Sequence, residues 1–436
     1  MKKLSFGIIA MLLLGAGCPV ALPWVHPETQ TAVTPSDAAQ SPSIPKAPNG
    51  WRTYENVVRG FLFSYPEQAT WNMGGYNLED TVASFDLGSQ VTSMTAQSVP
   101  TTELAVRVIP TTDLRIKDCF FSESRWPEEA TGIQTTHVSL GGRDVCLTVE
   151  SDAGAGNYYS SYAYSVINGN EVIILDFVVH SVNCLNYEDP ESQCVAFDET
   201  RDTKEFEGIV GTLGFTGEPE ASAIDMTLFE QISKTDNTSA RQISLTYPHL
   251  STYPDNAAQT EFNRLVDEHV SKAVAQFKKD VGDSSPEEIG SASGPWYLAI
   301  DAHTFAAPKG RVSVVFTLSE YLGGAHPNTF YETLVFNFNT KKEETLAEFF
   351  NEGVDYIQAV SDYSVNELKR RYDMQDLTDD DWIQNGAGPS ANNYMTTYLS
   401  DSGVVVLFPP YQVAAYAAGP SEVVVPYSVL QGKISL

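Results

Sequence analysis

The chain is short of positive charge. It carries 26 Lys plus Arg against 56 Asp plus Glu in 436 residues, a formal charge of −30. Nucleic acid is held largely through cationic contacts to phosphate, so no nucleic-acid partner is expected. The same field repels anionic lipid headgroups and attracts cations and cationic proteins. Histidine is scarce, with seven residues scattered singly. There is no H-E-x-x-H helix and no G-x-S-x-G elbow, which removes the common zinc and serine routes to hydrolysis. There is no Cys-x-x-Cys pair, which argues against a cysteine-held metal. Neither metal nor cofactor is implied. No apolar run approaches the ~20 residues that a membrane-spanning helix needs.

What is present begins with an address. Lys2-Lys3 precede a short apolar core, Leu4 to Leu14, as in a secretory signal. Leu14-Gly15-Ala16-Gly17-Cys18 resembles a lipobox, which implies cleavage before Cys18 and lipidation of its side chain. Residues 1–17 therefore read as a lipoprotein signal peptide and the mature chain as exported and membrane-anchored. Residues 18–50 hold seven prolines among Thr, Ser, Ala and Gln. Such a stretch cannot bury enough surface to offset the entropy of ordering it and reads as a semi-rigid spacer.

Residues 51–215 read as one α/β domain. Phe61, Phe63 and Tyr65 alternate as a half-buried strand requires. Asn168-Gly169 lies between two strand patterns, a strong hairpin signal, and Val172 to Val179 is apolar enough for a central strand. The opening Y-x-N-x-x-x-G-F-x-F-x-Y-P, Tyr54 to Pro66, resembles small exported domains with the PsbP-like fold. This domain holds Cys119, Cys146, Cys184 and Cys194, and an even number in an exported domain reads as disulfides. Of three possible pairings, sequence neighbours are favoured: Cys119 with Cys146 and Cys184 with Cys194.

Residues 216–242 read as a connector in which Ile224 to Ile232 forms a short helix. Residues 243–436 form the second folded unit. Asn256 to Val281 carries Phe262, Leu265, Val266, Val270, Phe277 and Val281 on one helical stripe, with Asp255 or Asn256 as cap. Strands are expected over Trp296 to Ala306, Arg311 to Leu322, Phe330 to Phe338 and Val404 to Phe408, and a further helix over Asp355 to Tyr372. The fold class is thus α+β, in two domains, each a mainly antiparallel sheet with helices on one face. Asp376, Asp379, Asp380 and Asp381 miss the spacing of a calcium loop, and Thr378 as N-cap followed by Asp379, Asp380 and Asp381 as an acidic first helical turn suits them better.

The pattern F-x-x-Y-x-V-x-x-Y-x-x-G-P-x-x-V-x-x-P-Y-x-x-L runs from Phe408 to Leu430, and Gly323-Gly324-Ala325-His326-Pro327-Asn328 lies upstream. Together they resemble the extracellular domain of unknown function shared by RsiV-type anti-sigma factors and PdaC-type peptidoglycan deacetylases. The strand and helix before them resemble the accessory segment of the PdaC type. The resemblance implies an envelope binding module for lysozyme, a cationic partner that suits this charge, or for cell-wall glycan. The alternatives are a glycan-acting enzyme, for which Asp301 and Glu320 are a conceivable carboxylate pair, and a ligand-free structural lipoprotein. His326, Asn328, Tyr411 and Tyr416 are the candidate ligand-binding residues, expected to share one surface. His269 reads as a surface or packing residue and His303 beside Asp301 as a polar strand face.

Overall fold

The computed structural model describes residues 46–72, 80–88, 98–113, 116–117, 120–121, 134–187, 193–217, 223–282, 295–324, 326–374 and 379–435. The signal segment, Cys18 and Cys119 lie outside these residues. Pro42–Leu436 clusters as one unit. Its fold is α+β, with mainly antiparallel sheets and helices packed against them.

In the first half, a seven-stranded sheet runs in the order Thr70–Asn72, Thr81–Gly88, Thr101–Pro110, Glu171–Val182, Asn157–Asn168, Arg143–Gly154 and Gln134–Leu140. Glu171–Val182 is fourth of seven, the central place its apolar run demands. Its hairpin partner is Asn157–Asn168, with Asn168 paired to Glu171. The turn residues are therefore Gly169 and Asn170, one position later than the Asn-Gly reading. Gly169 has φ +61°. Asn170 is not among the positive-φ residues, which fits a II′ turn rather than I′.

Trp51–Asn56, Phe61–Pro66 and Gly214–Phe215 make a three-stranded sheet. Phe61–Pro66 is buried on both faces rather than one. Helix α1, Glu199–Gly211, accounts for this: it contacts the strand, and Thr212 just after it accepts from the Ser64 amide through Oγ1. Cys184 and Cys194 form a disulfide with Cα atoms 5.4 Å apart. Cys146 is also disulfide-bonded.

In the second half, a six-stranded sheet runs Phe229–Asn237, Arg241–Leu250, Trp296–Ala307, Arg311–Tyr321, Asn328–Asn337 and Lys342–Glu343. Phe229–Asn237 falls inside the expected connector. It is an edge strand whose residues are nearly all exposed, so it carries little apolar signal. The short helix expected from Ile224 is a 3-10 turn over Met226–Leu228. Arg241–Leu250 and Trp296–Ala307 are parallel, and helix α2, Asn256–Val281, is the crossover between them. Asp255 caps α2 by accepting from the Ala257 and Ala258 amides.

Alternation along the strands divides this sheet between two cores. Val312, Val314, Phe316 and Leu318 pack toward Phe262 and Val266 of α2. Val315 and Val335 join the other core. There they meet a three-stranded sheet of Thr397–Leu399, Gly403–Phe408 and Ser421–Pro426. Hydrogen bonds fix that stacking: Ser313 Oγ donates to the Leu399 carbonyl at 2.7 Å and accepts from its amide at 3.1 Å. This second core continues into the first half, so Tyr54, Phe85 and Phe177 share one cluster with Val404, Val424 and Ile383. Each large apolar side chain so buried contributes about 1.5–3 kcal/mol.

Candidate functional site

Two turns meet at the end of the second half. The first follows Arg311–Tyr321. Gly323 and Gly324 have φ +94° and +119°, a conformation that L side chains rarely adopt. Tyr321 Oη donates to the Gly324 carbonyl at 2.9 Å and pins the turn. The second turn follows Gly403–Phe408, where Pro409-Pro410 stops the ladder. Tyr411 then takes φ +73°, a strained geometry for a non-glycine residue.

The turns converge through aromatic rings. His326 and Tyr416 stack with centroids 4.0 Å apart, and Tyr411 lies 5.3 Å from Tyr416. Tyr416 Oη donates to the Pro327 carbonyl at 3.1 Å, and His326 Nδ1 lies 2.9 Å from the same oxygen. Tyr411 is 57% exposed. The two strands that deliver these turns lie in different sheets, so it is the stacking of one sheet on the other that brings the turns together. Asn328 sits two residues beyond His326, exposed, opposite Glu320 in the strand ladder.

Beside the stack lies a cavity of about 580 Å³ lined by Asp379, Asp381, Trp382, Asn385, Gly386, Asn393, Tyr411 and Gln412. Helix α3, Tyr356–Met374, is followed by the short helix α4, Asp380–Ala387, which forms one wall. Asp379, rather than the expected Thr378, which lies outside the described residues, caps α4 by accepting from the Trp382 amide, and Asp380 and Asp381 form its acidic first turn. Trp382 Nε1 donates to the Tyr411 carbonyl at 2.9 Å, and Gln412 Nε2 donates to the carbonyls of Gly386 and Asn393 at 2.8 and 3.0 Å. These bonds seat the turn on the helix. The sequence reading missed this wall because it saw in the triplet only an acidic first helical turn.

Gly386 permits that approach. A Cβ there would stand 1.8 Å from the Gln412 carbonyl oxygen, a backbone atom that cannot swing aside. Gly386→Ala is therefore expected to destabilise by about 1–3 kcal/mol through overpacking. This outweighs the helix propensity gained, about 1 kcal/mol. A denaturation midpoint at or above wild type would show that the turn yields.

Other candidates resolve differently. His269 of α2 stacks on Phe316 and bonds Glu332 at 2.8 Å, the packing role of the two expected for it. His303 lies 3.3 Å from Asp301 on an exposed strand face. Asp301 pairs with Thr317 while Glu320 pairs with Leu298, which packs toward α2. The two carboxylates therefore point from opposite faces of the sheet and cannot flank one bond. Among the described residues no group of three or more His, Cys, Asp or Glu could hold a metal, and no helix is long and apolar enough to cross a membrane.

Residues 233–329 match the family model described as deacetylase PdaC, and residues 347–428 match the protein of unknown function family DUF3298. The C-terminal region carries a PdaC–DUF3298 domain. The Gly323–Asn328 turn of this domain falls within the first match, and the cavity and Tyr416 within the second. Among curated proteins, the peptidoglycan-N-acetylmuramic acid deacetylase PdaC of Bacillus subtilis is 28% identical over 160 residues, 37% of this chain and 33% of that protein. The chain thus spans about a third of that relative's length. The immunogenic protein MPT64 of Mycobacterium tuberculosis is 25% identical over 225 residues, 49% of this chain and 91% of that one. Among solved structures, a DUF3298 family member from Bacteroides fragilis aligns with a TM-score of 0.37 at 18% identity, covering 48% of this chain and 94% of the other. A DUF3298 family protein from Pseudomonas aeruginosa aligns with a TM-score of 0.32 at 13% identity, covering 48% and 94%.

Proposed function

We propose that the chain is an exported cell-envelope protein, tethered through an acyl group on Cys18, whose PdaC–DUF3298 domain binds cell-wall glycan rather than cleaving it. The observation that carries the reading is the aromatic stack of His326, Tyr416 and Tyr411 beside an open cavity lined by Trp382, Asn385, Asn393 and Gln412. Sugar rings lay apolar faces on aromatic rings, and their hydroxyls bond to amide and carboxylate groups. PdaC, the relative from Bacillus subtilis, is named for action on peptidoglycan, which favours the same ligand.

The test is co-sedimentation with purified peptidoglycan. Tyr411→Ala removes an exposed ring at no cost to the core. A ring contact of about 1 kcal/mol corresponds to roughly a fivefold loss of affinity. Equal binding by the variant would move the site elsewhere. Release of soluble fragments with time would replace binding by catalysis. A second reading, a lysozyme-like cationic protein as partner, is favoured by the formal charge of −30. It is separated by the same assay with lysozyme in place of glycan, at low and moderate salt.

A further inference from the structure

Phe229–Asn237 is the outer strand of the six-stranded sheet, and among the described residues no strand pairs with its far side. It pairs with Arg241–Leu250 over all nine residues without a bulge, holds no proline, and is exposed at every residue but Phe229 and Ile232. Short length, bulges, prolines and covering elements are the usual means of keeping such an edge from pairing with another chain. Only its charged side chains remain to do so here.

The hairpin fixes which backbone groups point outward. The Thr238 amide donates to the Arg241 carbonyl at 2.7 Å, and across the next strand the Trp296 amide donates to the Ala240 carbonyl at 3.2 Å. Ladder bonds alternate along a strand, so Glu230, Ile232, Lys234 and Asp236 turn their backbone groups to Arg241–Leu250. Those of Gln231, Ser233 and Thr235 face outward. A second copy meeting this edge antiparallel must set outward residues against outward residues. With Ile232 on the two-fold axis, Gln231 pairs with Ser233 and Glu230 stands opposite Lys234 twice. Centring on Ser233 sets Glu230 against Asp236, centring on Lys234 sets that lysine against itself, and centring on Gln231 pairs no charges. Opposite charges directly across a ladder stabilise it and like charges destabilise it, so the charges select the Ile232 register. In that register Glu230 and Lys234 form a pair without ladder bonds, where side chains approach most closely. Lys234 bonds the Tyr247 hydroxyl and Ile232 packs on the core beneath α2, so the pairs lie on the helix side of the sheet.

We propose that Phe229–Asn237 is a dimerisation edge, whose partner is the same strand of a second copy of this chain with Ile232 on the two-fold axis. The two six-stranded sheets become one. The turn bearing His326 follows Arg311–Tyr321, on the far part of the sheet from this edge, so each copy keeps its own site. A polymer then meets two sites held by one sheet, which raises avidity without a new contact. The interface is small and the formal charge of −30 on each copy opposes it, which places the dimer in the weak, transient class.

The experiment is sedimentation velocity of the full chain, at moderate salt to screen the net charge. Monomer is expected to pass to dimer by about 1 mM, the affinity range of weak interfaces. Lys234→Glu sets Glu against Glu, and Glu230→Lys sets Lys against Lys. Each weakens the dimer about tenfold, and the double variant restores it. Net charge alone predicts otherwise, since Glu230→Lys makes the chain less negative and would then tighten association. Ser233→Pro removes an outward amide, keeps the inner ladder and abolishes the dimer. In the wild type, hydrogen exchange at the Gln231, Ser233 and Thr235 amides slows as concentration rises. Monomer alone throughout overturns the proposal, as does a dimer that Ser233→Pro leaves intact. A Glu230→Lys dimer tighter than wild type, or a double variant no better than the singles, overturns the register. Unchanged exchange at those three amides overturns the edge whatever the variants do.

Discussion

Glu367→Gln is expected to destabilise the protein by about 3–5 kcal/mol, the scale for removing one partner from a buried charge cluster. The carboxylate sits on α3, with a side chain 5% exposed, and three guanidiniums converge on it. Arg52 of the first half reaches it at 2.8 Å, Arg371 at 2.8 Å and Arg370 at 2.7 Å. Burial alone would push this acid up. The three arginines outweigh burial and hold it at about 2. Each arginine also fastens something else. Arg52 donates to the Tyr363 hydroxyl, Arg371 to the carbonyls of Glu422 and Trp71, and Arg370 to that of Ala69. Trp71 and Ala69 belong to the first half and Glu422 to the second, so one carboxylate organises the junction between them. A neutral amide leaves three cations facing one another with much of their hydration removed. Urea denaturation read by tyrosine and tryptophan fluorescence gives the number. A loss below about 1 kcal/mol would show that the cluster is solvated well enough to do without its anion. If the junction couples the halves, the wild type is expected to unfold in one transition and the variant in two.

None of that junction is legible in the sequence, and the reason is separation. Arg52 and Glu367 lie 315 positions apart, and no local period links them. What the sequence does show is whatever has a period or a cap. The stripe on Asn256–Val281 sets both ends of α2 as observed, with Asp255 as its cap. The strand before the cavity, Gly403–Phe408, is marked by its apolar run and by the prolines that stop it. Phe229–Asn237 is lost to view because an edge strand exposed on nearly every residue has no apolar face to alternate. The candidate site is legible in part for the same reason. The glycines and prolines of its two turns are local signals, whereas the cavity depends on Gly386 meeting Gln412, a contact made only when the chain has folded. The stacking of His326 on Tyr416 likewise needs two sheets laid face to face.

Stability is expected to peak at pH ~4 and to fall on either side, because the junction holds two acids displaced in opposite directions. Asp401 is 4% exposed, in the tight turn between Thr397–Leu399 and Gly403–Phe408. Asn56 of the first half donates to its Oδ2 at 2.6 Å and Ser402 Oγ to its Oδ1 at 2.7 Å, while its carbonyl accepts from the Val57 amide at 2.9 Å. Burial pushes the carboxyl up to about 6. The Ser402 and Asn56 bonds and the charge of Arg59 offset only part of that cost. Tyr54 and Tyr398 are the other titratable groups that feel Asp401, and both are driven up by burial and so stay neutral here. An unfolded aspartate titrates near ~3.9. The folded protein therefore binds the extra proton between pH 4 and 6. That contribution is fully present below pH 4 and is lost as pH rises through 6, a change of about 3 kcal/mol. Glu367 runs the other way. Its folded value of about 2 lies below the unfolded ~4.3, so its contribution is present above pH 4.3 and lost as pH falls toward 2. The many exposed acids add a common background, and subtracting a variant's profile from the wild-type profile removes it. In urea midpoints measured from pH 3 to 8, Asp401→Asn should flatten the fall between pH 4 and 6 and leave the acid limb in place. Glu367→Gln should flatten the acid limb only. An Asp401→Asn profile parallel to wild type from pH 4 to 7 would mean that this carboxyl already ionises freely inside the junction, and that the pH response arises elsewhere.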